Sequence, residues 1–274
     1  MIPSVTISLV KEAAGGPFVY WHDPLDHAKR AKNLGFPAVE IFPPDSKALK
    51  PEVFPDIPYE LGMKIAAVGS GGGWVCNRWH LTHPSSDVRT KARDFIYALL
   101  DAAARFNAPV IIGSMQGRHG DGVCRELALE WLGGALLLLG DRAKALGTCV
   151  LYEPLNRYES NLLNTARETV DFLERLKPNN VKVLADLFHM NIEESSIAEG
   201  LLTYGDWLGH VHLVDNQRQA AGSGMMDYSD IAAALRRISY KGYLSAEVFP
   251  VPDSDSAARM TMDTYRRWFG GSAQ

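Results

Sequence analysis

Short apolar runs alternate with longer amphipathic segments along most of the chain. The short runs, rich in Val, Ile and Ala, indicate buried β-strands, and the longer segments carry apolar positions at helical spacing. Helix-end signals support this pattern, because Asp23 and Pro24 stand where the first helix should begin and Gly35 stands where it should end. Eight strands are predicted, at residues 5–10, 38–42, 64–68, 109–112, 149–152, 181–185, 210–214 and 242–246.

A helical segment is predicted after each strand. The connections are short, and 274 residues come close to the roughly 250 that one (β/α)8 barrel needs. We therefore expect a single (β/α)8 TIM barrel that occupies residues 1–274 as one domain. An open, doubly wound sheet would carry a glycine fingerprint after its first strand, which Gly15 and Gly16 alone do not supply. The predicted helices cover residues 23–34, 86–106, 123–146, 165–176, 195–208, 228–238 and 256–269, with a broken helix within 43–61 and a glycine-rich loop at 69–73.

The composition narrows the class of protein and its partners. With 46% apolar and 22% charged residues the chain resembles an ordinary folded protein, and its net charge of −4 argues against a nucleic-acid partner. Cys76, Cys124 and Cys149 are odd in number, widely spaced and not in CxxC form, so they suggest no disulfide framework and no zinc ribbon. The opening MIPSVTISLV reads as a strand and not as a signal peptide, and the apolar stretch 135–139 is too short to cross a membrane. We therefore expect a cytoplasmic protein without a membrane partner.

Four polar residues stand at the ends of the last four predicted strands. Glu153, Asp186 and Glu247 directly follow their apolar runs, and His212 lies inside the run 210–214. The carboxyl ends of barrel strands meet at one mouth, where three carboxylates would repel one another unless a cation lay among them. This donor set suits Mn²⁺ above all, with Mg²⁺, Co²⁺ and Zn²⁺ as alternatives. Each residue alone would also fit a helix cap or a salt bridge, but four on consecutive strands indicate one divalent metal ion and an enzyme.

The segments around these residues resemble a known family. EPLNRYESNLLNT, ADLFHMNIEE, LGHVHLVDNQR with GSGMMDY, and GYLSAEVF look like the four signatures of the xylose-isomerase-like sugar isomerase/epimerase superfamily, nearest to its ketose 3-epimerase (D-tagatose 3-epimerase-like) branch. LTHPSSDVRTKARDF resembles the family's segment leading into its third helix. The resemblance implies that Glu153, Asp186, His212 and Glu247 bind one divalent metal ion, and that Glu153 and Glu247 also act as the catalytic acid/base pair.

The resemblance further implies that Glu159, His189 and Arg218 contact a small carbohydrate substrate. Other interpretations stay open at each position. Glu159 would equally fit the surface of its loop, and His189 would fit a loop histidine facing solvent. Arg218 would also fit a salt bridge to a neighbouring aspartate such as Asp215 or Asp227.

The chemistry of such a site agrees with the resemblance but does not fix the product. Epimerising a carbon next to a carbonyl requires removal of a C–H proton from one face and return of a proton to the other, which two carboxylates can perform. A metal ion would polarise the carbonyl and stabilise the enediolate. Isomerisation and dehydration need the same groups. Hydroxypyruvate isomerase, a dehydratase acting on an inosose or keto-sugar, and elimination from keto-glycosides therefore stay open, as does assembly into a homo-oligomer.

Two functions of other classes fit less well. An apurinic-site endonuclease of this fold uses three zinc ions and needs further histidines at the ends of strands 3 and 4 and after strand 7. The chain has Gly69-Ser70 and Gly113-Ser114 at those two strand ends, and no histidine follows His212. A sugar-binding barrel without catalysis would have lost part of its ligand set, whereas this set is complete.

Overall fold

The computed structural model describes residues 1–271, and its strands form a closed, parallel barrel. Eight of its nine strands pair in chain order, and the last of these pairs with the first, with Ile2 opposite Tyr243, so this ring of eight is closed. The predicted (β/α)8 TIM barrel is confirmed, while its extent as one domain over 1–274 stays a prediction whose last residues, 272–274, lie outside the described part. The strands are β1 Ile2–Ser8, β2 Tyr20–Trp21, β3 Ala38–Phe42, β4 Lys64–Gly69, β5 Val110–Ile112, β6 Val150–Tyr152, β7 Val181–Asp186, β8 Leu208–His212 and β9 Tyr243–Ala246.

Helices surround the barrel, and most begin where the sequence predicts. Asp23 caps the first helix by accepting a hydrogen bond from the Asp26 amide, and Gly35 ends it with a φ of 100°. Among residues 1–271, no helix combines the length and the apolar character that crossing a bilayer requires. The helices are α1 Pro24–Leu34, α2 Ile57–Leu61, α3 Gly72–Asn77, α4 Ser86–Ala103, α5 Arg125–Ala145, α6 Ala166–Leu176, α7 Leu187–Glu193, α8 Ile197–Tyr204, α9 Tyr228–Arg237 and α10 Ser254–Trp268.

The structure differs from the sequence prediction mainly at the mouth of the barrel. The two-residue strand β2 adds to the end of β1 outside the closed ring, and the sequence did not predict it. The predicted strand 210–214 is shifted, because β8 ends at His212 while Leu213 and Val214 are fully buried in the following loop. An apolar run is buried whether its backbone pairs as a strand or not, so the pattern alone does not locate the strand end.

Two predicted segments near the site are organised differently. The predicted helix 195–208 is shorter, since α8 ends at Tyr204 and a 3₁₀ turn leads into β8. The predicted glycine-rich loop 69–73 is partly helical, because α3 begins at Gly72. A Cβ on Gly72 would lie 2.7 Å from the Pro43 carbonyl oxygen, so glycine allows this helix to pack against the backbone after β3.

The strands are buried on both faces, and side-chain alternation separates two regions. Val39 and Ile41 of β3 belong to the large apolar core that includes the surrounding helices. The other face of β3 points into the barrel and carries Glu40 and Phe42. A small interior apolar cluster takes one residue from each of β3 to β7, namely Phe42, Ala67, Ile111, Leu151 and Leu184. The remaining interior, towards β8 and β9, is polar and leads to the candidate site.

Candidate metal centre

The four candidate ligands meet at the mouth of the barrel. Glu153 follows β6, Asp186 ends β7, His212 ends β8 and Glu247 follows β9, and one donor atom from each lies within 4.8 Å of all the others. His212 Nδ1 lies 3.2 Å from Asp186 Oδ2. The same nitrogen lies 3.6 Å from Glu153 Oε1 and 3.6 Å from Glu247 Oε2. Because the strands run parallel and their carboxyl ends lie at one mouth of the barrel, the side chains at four strand ends come together.

The residues present fit a divalent cation. A cation held at about 2.1 Å by nitrogen and oxygen donors places those donors roughly 3.0 to 3.4 Å apart, which is close to the observed spacing. The four side chains are at most 8% exposed, so water does little to screen the three carboxylates from one another. Without a bound cation, burial raises the pKa of Glu247 to about 7. The positive charges of His212 and Arg218 lower this pKa, and the negative charges of Glu153 and Asp186 raise it further. A cation among the carboxylates would relieve this repulsion.

Helix α7, which the sequence did not predict, orients Asp186. The Oδ1 atom of Asp186 accepts hydrogen bonds from the amides of Phe188 (2.7 Å) and His189 (3.2 Å), so the residue is the N-cap of this helix. The other oxygen faces His212. Burial by itself raises the pKa of Asp186, but His189 and His212 outweigh burial and hold this pKa well below its usual range. One carboxylate therefore both caps a helix and presents a donor to the site.

A buried carboxylate beneath the site was missed in the sequence analysis. Glu40 is fully buried inside the barrel, with Oε1 3.0 Å from His212 Nε2 and Oε2 2.7 Å from His210 Nε2. If His212 donates its Nε2 proton to Glu40, its Nδ1 lone pair faces the three carboxylates, as a metal ligand requires. The signal was present in the sequence, because Glu40 interrupts the apolar run AVEIF with a charge that a buried strand must pair.

Arg218 bridges two carboxylates of the site. Its guanidinium lies 2.9 Å from Glu247 Oε2 and 3.2 Å from Glu159 Oε1. Its ion pairs are therefore not with Asp215 or Asp227, the partners considered from the sequence. Burial by itself lowers the pKa of Arg218, but Glu247 and other nearby carboxylates raise it above its usual range. The sequence left open substrate contact and a salt bridge to a near neighbour, whereas the fold supplies an ion-pair partner from another strand end.

His189 is buried and faces the site, not solvent. Its ring is 2% exposed, and Nδ1 accepts a hydrogen bond of 2.7 Å from the Asn156 side chain. This bond places the proton of a neutral ring on Nε2, which lies 3.9 Å from Glu153 Oε1. Nε2 has no hydrogen-bond partner within residues 1–271. His189 therefore offers a free donor to a molecule bound beside Glu153.

A cavity of about 320 Å³ opens above the candidate ligands. Its lining includes four charged residues, Glu153, Glu159, Arg218 and Glu247, and apolar residues such as Trp74. Its volume lies at the lower end of the range of small-molecule sites, roughly 300 to 1,000 Å³. The cavity suits a small polar molecule that contacts both carboxylates at once.

Comparison with known proteins identifies the family. Residues 28–268, most of the chain, match the family described as xylose isomerase-like TIM barrel, and the chain belongs to that family. A D-psicose 3-epimerase from Ruminiclostridium cellulolyticum is 30% identical over 253 residues, which cover 85% of this chain and 82% of that protein. A D-psicose 3-epimerase from Agrobacterium fabrum is 44% identical over 111 residues, 40% of this chain and 38% of that protein. A crystal structure of D-psicose 3-epimerase with D-tagatose, from Clostridium cellulolyticum H10, matches with a TM-score of 0.79 at 25% identity, covering 98% of this chain and 99% of that one.

These relatives confirm the resemblance drawn from the sequence and the predicted enzyme class, an isomerase of the sugar epimerase kind.

The structure also bears on the endonuclease alternative. Within residues 1–271, the side-chain groups close enough to hold a metal are the four candidate ligands and the set of Glu40, His210 and His212. The second set is joined by hydrogen bonds at 2.7 and 3.0 Å and shares His212. The described residues therefore provide no three-zinc arrangement.

Proposed function

We propose that this protein is a metal-dependent ketose 3-epimerase, which inverts the carbon next to the carbonyl of a ketose. The observation that carries the proposal is the position of two carboxylates, Glu153 and Glu247, which line one small cavity and also face His212 Nδ1 at 3.6 Å each. The relatives named D-psicose 3-epimerase support the choice of a ketose and of its third carbon.

The metal ligands in this proposal are Glu153, Asp186, His212 and Glu247, with Mn²⁺ as the ion that the donor set favours. When bound, the cation would polarise the sugar carbonyl and stabilise the negative charge that develops on its oxygen. By accepting the Nε2 proton of His212, Glu40 would leave Nδ1 free to bind the cation. Asp186 is held by the amides of α7, so its free oxygen stays directed at the site.

Glu153 and Glu247 transfer the proton. One carboxylate removes the proton from the carbon next to the carbonyl, and the other, across the substrate, returns a proton to the opposite face. Arg218 fixes Glu247 through its ion pair of 2.9 Å and joins it to Glu159. His189 donates from Nε2 to a substrate hydroxyl beside Glu153, while Arg218 and Glu159 contact the hydroxyls further along the sugar.

Exchange of carbon-bound hydrogen in D₂O tests the reaction. The Mn²⁺-loaded protein, incubated with D-fructose or D-psicose and followed by proton NMR, should lose the C3 proton signal as the 3-epimer accumulates. A product that carries no deuterium would indicate a hydride shift and contradict the two-carboxylate mechanism. Deuterium at the neighbouring carbon, or loss of water, would instead indicate an isomerase or a dehydratase. The cytoplasmic location and the oligomeric state stay predictions.

A further inference from the structure

A second cavity of about 640 Å³ adjoins the cavity above the candidate ligands and has twice its volume. The two cavities share lining from Trp74, Ser114, Leu155 and Glu159, so they lie side by side. Neither Glu153 nor Glu247 lines the second cavity. The second cavity therefore lies beyond the reacting carboxylates and is not needed to hold the carbonyl end of a ketose.

Aromatic side chains line this second cavity. Trp74 forms part of the boundary between the two cavities, and the Arg78 guanidinium lies 5.1 Å from the centroid of its ring. Tyr158 is 78% exposed, an unusual position for a large aromatic residue without a partner to cover it. Its backbone amide is fixed by a 3.0 Å hydrogen bond from Tyr158 N to Asn156 Oδ1. Asn156 is the same residue that orients His189, so the second cavity and the proton-transfer site share one loop.

Positively and negatively charged side chains line the second cavity in equal number, apart from its histidines. Arg78 and Arg118 contribute two cations, and Asp121 and Glu159 contribute two anions. Burial lowers the pKa of His80 to about 4, so this ring is neutral near neutral pH. A site for a phosphate dianion would have a clear surplus of cationic donors. Aromatic faces combined with donors and acceptors of both signs instead suit a neutral, hydroxyl-rich ring, whose C–H face packs on an aromatic ring while its hydroxyls form hydrogen bonds.

We propose that the second cavity binds a neutral sugar ring attached to the substrate at the end remote from its carbonyl. The preferred substrate is then a glycosylated ketose and not a free monosaccharide. This proposal rests on the proposed epimerase function, because it places the ketose portion beside Glu153 and Glu247 and the attached ring among Trp74, Tyr158 and Arg118.

Three sugars distinguish the occupants of the second cavity. Isomaltulose is fructose carrying a glucosyl group on O6, D-fructose lacks that group, and fructose 6-phosphate carries an anion in its place. Binding to the Mn²⁺-loaded protein is measured by calorimetry, and C3 proton exchange in D₂O is followed in parallel. Isomaltulose should bind about ten-fold more tightly than D-fructose, which corresponds to the free energy of one well-placed hydrogen bond to a charged group. Tighter binding of fructose 6-phosphate than of isomaltulose would overturn the proposal in favour of an anion site.

Variants confined to the second cavity give the second test. Arg118→Ala and Tyr158→Ala should each weaken isomaltulose binding by roughly three- to ten-fold while leaving D-fructose binding unchanged. Tyr59→Ala is the matched control, since Tyr59 is 88% exposed on α2 and lines neither cavity. Equal affinity for isomaltulose and D-fructose in the wild type, or equal losses for both sugars in the variants, would overturn the proposal.

The two proposals fail in different ways. If isomaltulose binds more tightly than D-fructose but neither sugar exchanges its C3 proton, the second cavity is supported and ketose 3-epimerisation is contradicted. If D-fructose exchanges its C3 proton and isomaltulose has no advantage in binding, the epimerase function stands and the second cavity is not a sugar site.

Discussion

At the scale of single residues, the proposed mechanism gives Glu153 and Glu247 two roles, as ligands of the cation and as the groups that transfer the proton. Replacing either by Gln keeps an oxygen near the cation and removes the base. We expect each change to lower turnover by roughly 10² to 10⁴, the usual contribution of general acid–base catalysis, with a smaller effect on substrate affinity. Steady-state kinetics on Glu153→Gln and Glu247→Gln test this, with the exposed Glu60→Gln on α2 as the control. Full turnover in either variant at normal metal content would remove that residue from the pair.

In the proposed mechanism Glu40 does not touch the substrate but orients His212 by a hydrogen bond. Its two oxygens each pair with a histidine nitrogen inside the barrel, so Glu40→Gln replaces one acceptor by a donor and disturbs the tautomer of His212 or His210. We expect metal affinity to fall about 10- to 100-fold, as for other partners of metal-binding histidines. Titration against a competing chelator measures this, and circular dichroism of the metal-free protein separates it from a folding defect. Unchanged metal affinity in a folded variant would show that Glu40 only supports the core.

At the scale of the elements, the loop after β5 packs against Glu153, the proposed acid/base residue that follows β6. A Cβ added to Gly113 would overlap Glu153 Oε2, so the glycine leaves the space that the Glu153 carboxylate occupies. Gly113→Ala should displace the Glu153 carboxylate and lower turnover by roughly 10²-fold, the effect expected of a misplacement of about 1 Å. Kinetics and a crystal structure of the variant would show both effects.

Gly134→Ala provides the matched control for this substitution. Gly134 lies within α5, and a Cβ there meets nothing within 4 Å. This change should keep activity and raise the free energy of unfolding by about 0.5 to 1 kcal/mol, because alanine favours a helix over glycine. Equal kinetic effects at both positions would argue against a specific role for the approach of Gly113 to Glu153.

At the scale of the whole molecule, the proposed cation would join the ends of β6, β7, β8 and β9, where the four candidate ligands lie. Removal by EDTA should abolish activity and lower the melting temperature, because the buried carboxylates are then left to repel one another. At a free metal concentration 100 times the dissociation constant, binding stabilises the folded state by about 2.7 kcal/mol. Calorimetry with and without EDTA measures the shift.

His212→Ala tests whether this stabilisation comes from the proposed site. The variant should lose most of its bound metal, and its melting temperature should no longer respond to EDTA. Elemental analysis and calorimetry give the two readings. Retention of one metal ion per chain would contradict the assignment of His212.

The sequence by itself determined the barrel and the convergence of its ligands. Apolar runs bounded by helix-end signals such as Asp23 and Gly35 report backbone preferences that act within a few residues. Once eight such units close into a parallel barrel, the carboxyl ends of the strands meet at one mouth. Glu153 and Glu247 therefore lie near each other regardless of the loop conformations.

Only the tertiary structure decided which groups complete the site. Glu40 and His210 are 170 positions apart in the chain, and nothing local pairs them. The Arg218 guanidinium pairs with Glu247 and not with the nearby Asp215 carboxylate, because the loop after β8 folds back towards the segment after β9, where the Phe249 amide donates to the Arg218 carbonyl. Contacts of this kind depend on how strands and loops pack against one another in space. Patterns of polarity along the chain record which positions are buried, but not which distant partner each buried charge will meet.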